Sequence, residues 1–156
     1  MKVIKIAHVP PPSVSADASV LDAVRAMQRA KNGACVILDN NKLVGIFSER
    51  DLMLRVVAEG LDPDKTAVRE VMTTSLGTLT TEAETSEALE LMASLHIRHL
   101  PILEKDGSLA GLLSVLSLFR DHAEDLGDQL NSLEASITPR MDRVAESSER
   151  VCPSFS

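Results

Sequence analysis

Ser48 and Asp51, three residues apart, carry the chemistry most readily read from this chain. They follow an apolar run with one glycine, Leu43–Val44–Gly45–Ile46–Phe47, which reads as a short buried strand, and they open the helix behind it. A carboxylate presents two acceptor oxygens at fixed spacing, a match for the paired hydroxyls of a ribose. A hydroxyl at a helix start lies among free backbone N–H groups at the positive end of the dipole, where phosphate is favoured. The same Ser-x-x-Asp spacing also forms a capping box, with Ser48 capping the helix and Asp51 reaching back to the cap N–H. The two roles are compatible until a ligand arrives.

A second copy of the stretch tips the balance toward ligand contact. Leu109–Ala110–Gly111–Leu112–Leu113–Ser114–Val115–Leu116–Ser117 keeps the glycine and the serine, but Ser117 stands where Asp51 stood. Upstream, Thr78–Leu79–Thr80 matches Ser13–Val14–Ser15 at an offset of 65, an offset kept by Met92 with Met27, Leu103 with Leu38 and Glu104 with Asp39. One extra residue at Gly107 makes it 66, so Gly111 matches Gly45. Two copies of so long a unit do not make a solenoid. They imply an internal duplication about a pseudo-two-fold axis, with a cleft between the halves.

The elements that position these residues follow from periodicity. Residues 1–12 alternate at Val3, Ile4 and Ile6 and end in Pro10–Pro11–Pro12, reading as a strand or extended arm into the first repeat. Ser19 or Asp17 caps a helix that buries Val20, Val24 and Met27, and Asn32–Gly33 ends it. Ala34–Leu38 and Leu43–Phe47 form a hairpin about Asp39–Asn40–Asn41–Lys42. A helix from Ser48 to about Ala58 buries Leu52, Val56 and Met53, and Gly60 ends it. The second repeat follows the same order. Leu126, Leu130, Leu133 and Ile137 then stripe a helix over 121–137, ahead of a polar tail. The fold class is α/β (α+β): two β-α-β-β-α repeats, 1–67 and 68–120, with a C-terminal helix and tail over 121–156.

Bulk properties exclude several functions. The net charge of −7 leaves no basic footprint for nucleic acid, and with three Phe and no Trp or Tyr there is no base-stacking platform. No apolar run approaches the ~20 residues of a membrane span. The N-terminus lacks the long apolar region of a signal peptide, so a cytoplasmic location is expected. Cys35 lies in an apolar run and reads as a core residue, and Cys152 lies in the polar tail. His96 and His99 have no Cys or acidic partner at metal-ligand spacing, so no metal is expected. His8 and His122 read as solvated. Glu82, Glu84, Glu87 and Glu90 read as a solvated helix entrance. No Ser-His-Asp set, phosphate-binding Walker loop or dinucleotide glycine fingerprint is present, so an enzyme and a catalytic cofactor are not expected.

A duplicated β-α-β-β-α unit closed by Gly45–Ile46–Phe47–Ser48–Glu49–Arg50–Asp51 resembles a tandem cystathionine-β-synthase (CBS) domain pair, or Bateman module. Val71–Met72–Thr73 is similar to the lead-in of a second CBS domain. Ile97–Arg98–His99–Leu100–Pro101–Ile102 is similar to the first strand of its hairpin. The resemblance covers about residues 1–120. It implies a non-catalytic regulatory module that binds an adenosine-containing ligand (AMP, ADP, ATP, NADH or S-adenosylmethionine), pairs into a disc-like homodimer and acts on an attached or separate protein.

The family arrangement assigns Arg98 and His99 to the Asp51 site as the phosphate grip. Arginine offers a planar fork of donors, and His99 adds a donor and, when protonated, a charge. Arg50 is a lesser candidate. The adenine edge is read near Lys5–Ala7 (Ile6, Ala7) and Val14–Ser15. The second cleft is poorer: Ser117 has no charge, and Gly33 and Ala34 replace Arg98 and His99. Ser114 remains there, with Thr73 and Thr80. The competing expectation is a dimerising interaction module that binds nothing, which the Ser117 replacement and the Leu126–Ile137 stripe favour.

Overall fold

The computed structural model describes the backbone of residues 1–148 and the side chains of residues 1–136. Residues 1–118 form one compact unit and residues from Phe119 onward a second.

In the first repeat, β1 (Ser13–Ser15) leads to α1 (Val20–Ala30). Ser19 caps α1 in a full capping box with Asp22, because its hydroxyl accepts the otherwise unpartnered Asp22 N–H. The buried positions Val20, Ala23 and Met27 recur at three and four, turning one face to the sheet. The helix ends one step earlier than the Asn32–Gly33 reading. Lys31 takes the left-handed conformation (φ 51°), and Gly33 does not. β2 (Ala34–Asp39) and β3 (Lys42–Ser48) pair antiparallel across Asn40–Asn41, both at positive φ, the residue type that tolerates this turn best. β1 pairs parallel to β2, so the sheet order is β1-β2-β3. α2 (Glu49–Asp51) opens behind Ser48 and widens into a π turn, Leu52–Val57. That change of phase buries Val56 and leaves Met53, expected inside, 59% exposed.

The second repeat copies this plan with β4 (Leu79–Thr80), α3 (Thr85–Leu95), β5 (His99–Leu103) and β6 (Leu109–Ser114) in the order β4-β5-β6. Even the register shift recurs, at Ile37/Leu38 and at Ile102/Leu103. Each repeat has its own core, around Phe47, Ile37 and Val56 in one and around Leu100, Ile102 and Leu113 in the other. A third cluster of Ala34, Val36, Ile46 and Leu112 joins the two sheets.

The segments ahead of the repeats cross over. Residues 1–9 are not an extended lead into the first repeat. Val3–Lys5 is a 3₁₀ turn, and Val3 is buried in the core of the second repeat, its N–H bonded to Ala83 O at 3.0 Å. His8 pairs with Leu112 in both directions, at 2.8 and 3.1 Å. Symmetrically, Val68–Glu70 is a 3₁₀ turn whose Val68 sits in the first repeat's core, and Thr73 pairs with Ile46 at 2.8 and 2.9 Å. The motif glycines exist for this crossing. A Cβ on Gly45 would lie 2.5 Å from Met72 Sδ and 3.1 Å from Thr73 O, and one on Gly111 would lie 3.2 Å from His8 O.

α4 (Val115–Ser148) follows β6. Leu126, Leu130 and Leu133 are exposed along it. Ile137, the last residue of the expected stripe, and the polar tail with Cys152 lie outside the residues whose side chains are described. Among the described residues no helix is long and apolar enough to cross a membrane.

Candidate functional site

Asp51 is the centre of the site and is only 8% exposed. A buried carboxylate must be partnered, and this one is partnered on every side. Oδ2 accepts from Ser48 N at 3.0 Å and from Ser48 Oγ at 3.1 Å, while Ser48 Oγ accepts Asp51 N–H at 3.3 Å. Oδ1 accepts from Thr73 Oγ1 at 3.0 Å and faces Arg55 Nε at 3.6 Å. Arg55 also donates to the carbonyls of Val71 at 3.3 Å and Met72 at 3.0 Å. The capping box is therefore real and is tied to the crossing strand between the repeats. Thr73, which the sequence reading placed with Ser114 and Ser117, stands instead against Asp51. It is 22 residues from Asp51 in sequence, and only the crossing brings the two together.

The same crossing relocates the residues expected at the adenine edge. Ile6 and Ala7 pack on the core of the second repeat, and a Cβ on Gly111 would lie 3.2 Å from Ala7 Cβ. Ala7 thus lies beside β6. Val14 lines the first repeat's core, and exposed Ser15 accepts the Asp17 N–H. An offset of 65 carried back from Val68 and Thr73 reaches Val3 and His8, and this was the available sign in the sequence that residues 1–9 mirror residues 68–73.

His99 opens β5 and pairs with Ser114, and Arg98, just before it, accepts Val115 N–H at its carbonyl at 2.8 Å. No hydrogen bond or ion pair joins either to Asp51. Arg98 is exposed, and its guanidinium has no partner among the described residues. Arg50 is likewise exposed. Burial, with a smaller contribution from the Arg98 charge, pushes the His99 imidazole down to about 4. His99 is therefore neutral near pH 7 and offers one donor and one acceptor, so the expected cationic pair reduces to Arg98 alone.

The sheets meet at Ile46 and Leu112, each two residues before a serine of the motif, Ser48 or Ser114. Residues two apart on a strand share a face, so both hydroxyls flank the seam between the repeats. The copies differ chemically. Ser117 N donates to Ser114 Oγ at 3.0 Å and the two hydroxyls lie 2.9 Å apart, so the cap survives without its charge. At the counterpart of Arg98 stands Gly33, and its Cβ position is 3.1 Å from Glu49 Oε1. The second repeat offers a guanidinium where the first offers a carboxylate. Thr80 ends β4. It lines a depression of about 350 Å³ on the β4 edge, together with Glu82 and Glu87, whose carboxylates repel anions.

Other polar groups serve structure. Glu84 caps α3 and pairs with the Met1 amine at 2.6 Å and Lys2 Nζ at 3.0 Å, so it is not simply solvated; the Met1 amine first, and Lys2 after it, hold its carboxyl below the usual range. Lys2 also donates to Glu82 O. Burial pushes the Cys35 thiol up to about 12, which leaves it unreactive. Among the described residues no group of three His, Cys, Asp or Glu side chains is placed to hold a metal ion.

Comparison with known proteins agrees with this architecture. The CBS-domain family model matches residues 3–58 and 68–123. The chain belongs to the CBS-domain family and carries two copies of its domain. It is 32% identical over 105 residues to the CBS domain-containing protein CBSCBSPB5 of Arabidopsis thaliana, covering 67% of this chain. It spans about a fifth of the length of that protein and of other curated relatives it matches (19% to 22%). Among solved structures, a protein with CBS domains from Burkholderia ambifaria is 30% identical with a TM-score of 0.73, covering 80% of this chain and 96% of that one. The CBS domain protein PAE2072 from Pyrobaculum aerophilum, complexed with AMP, is 26% identical with a TM-score of 0.68, covering 75% and 89%.

Proposed function

We propose that this chain is a non-catalytic regulatory module that binds an adenine nucleotide beside Asp51. Residues 1–67 and 68–120 act as its two halves, and 121–156 as an appended segment. The observation that carries this reading is a carboxylate held by two hydroxyls at a helix start, on the seam of the duplication. The AMP complex of the Pyrobaculum aerophilum relative supports the ligand class. Asp51 takes the ribose hydroxyls, Ser48 and the first N–H groups of the helix meet phosphate, and Arg98 supplies the positive charge. AMP and ATP are the leading ligands, ahead of ADP, NADH and S-adenosylmethionine. Each chain has one such site, because Ser117 and the Glu49 carboxylate make the other half poor for a phosphorylated ligand. The regulated partner is a protein, attached or separate, and the module acts in the cytoplasm.

Titration calorimetry with AMP, ATP, NADH and S-adenosylmethionine tests the reading. At least one should bind. Asp51→Ala should weaken it by about tenfold or more, the loss of one or two hydrogen bonds to a charged group, whereas Ser117→Ala should leave it unchanged. No heat and no thermal shift with any of the four defeats the proposal.

The ligand-free interaction module remains the second reading, favoured by exposed Met53, Leu54 and Val57 on the turn behind Asp51. Both readings share a homodimer. Val57→Glu should convert a dimer into monomer in sedimentation velocity, and a wild-type monomer at all concentrations removes that assignment.

A further inference from the structure

Three hydrogen-bond donors already meet the Asp51 carboxylate. An ionised carboxylate has about four acceptor positions. Here Ser48 N and Oγ take two on Oδ2 and Thr73 Oγ1 takes one on Oδ1, with the Arg55 guanidinium paired at 3.6 Å, so one position is left. A ribose diol needs two acceptor positions on the same group. The Ser48 contacts are local to the helix start and belong to its cap. The Thr73 contact is not local. It comes from the strand that crosses from the second repeat, whose backbone is held by Ile46 and whose carbonyls at Val71 and Met72 are held by Arg55. A threonine hydroxyl leaves by rotation about one bond, which the paired backbone permits.

Resting on the nucleotide reading above, we infer that Thr73 is a latch on the ligand site. Its hydroxyl occupies Asp51 Oδ1 in the free chain and competes with the ribose, and binding releases it. The release transmits occupancy from Asp51 to the segment between the repeats, because Thr73, Arg55 and Asp51 share one network. Thr73 is thus a positioning residue that sets affinity downward and couples the site to the crossing strand.

Calorimetry with AMP on the full chain tests this. Thr73→Val removes the hydroxyl and keeps the shape. It should tighten AMP by roughly three- to tenfold, the worth of one released hydrogen bond, while lowering the melting temperature of the free chain. Thr73→Ser should match wild type in both. A structural role alone would lower stability without tightening AMP. If Thr73→Val binds AMP no better than wild type while Asp51→Ala binds worse, the latch is wrong and the nucleotide site stands. AMP binding by Thr73→Val but not by wild type supports the latch outright. AMP binding by neither overturns the latch, and silence across the other three ligands removes the nucleotide reading as well. Should Thr73→Val not fold, the χ1 coupling of the Thr73 methyl in wild type decides. It must change on saturation with AMP, and an unchanged rotamer overturns the latch.

Discussion

The imidazole of His99 shows how position decides the charge of a residue. In an unfolded chain it titrates near 6.5, whereas in the fold burial and Arg98 hold it near 4. Between these values the unfolded chain binds the extra proton, so stability rises with pH across that window and is lost as pH falls from about 6.5 toward about 4. His99→Gln should flatten this slope. The check is a set of thermal melts from pH 7.5 to 4.5, in which wild type should lose more than the variant below pH 6.5. A parallel fall in both would show that His99 does not set the dependence. At this scale Ser48 and Asp51 were legible, because a capping box is written in neighbouring residues. Thr73 and Arg55 were not assigned to it. The Thr73 contact crosses 22 residues, whereas Arg55, four residues after Asp51 and so on the same helical face, was within reach of a spacing argument.

Among the elements, the strand β3 carries the tightest constraint. Its glycine passes against the Met72 side chain and the Thr73 carbonyl, so a Cβ there must displace the Met72 thioether and crowd the crossing segment. Gly45→Ala should cost about 1–3 kcal/mol, as overpacking of a filled site does, read as a lower midpoint in urea at unchanged m. Wild-type stability in the variant would show that the strand yields freely. Helix α1, the two hairpins and the ends of the strands were readable from apolar period, Asn turns and the repeat offset. The burial of Met53 was misjudged, because an α-helical phase was assumed where the backbone widens.

At the scale of the molecule, the repeats are interlocked. Val3 lies in the core of the second repeat and Val68 in that of the first. Each repeat is therefore completed by the segment preceding the other, and residues 1–118 should unfold in one transition. Val3→Ala and Val68→Ala should each lower that single midpoint, by about 2 kcal/mol for a buried side chain cut back. Separate transitions, followed by probes in each repeat, would refute the interlock.

Sequence alone determined the duplication, the class of fold and the local chemistry of Ser48 and Asp51. These depend on contacts between near neighbours or on a pattern that recurs, and both are visible in one dimension. Only the tertiary structure decided which segment belongs to which half, that Thr73 meets Asp51, and that His99 is neutral. Those depend on which distant residues share a low-dielectric interior. Chain crossing sets that, and no local propensity records it.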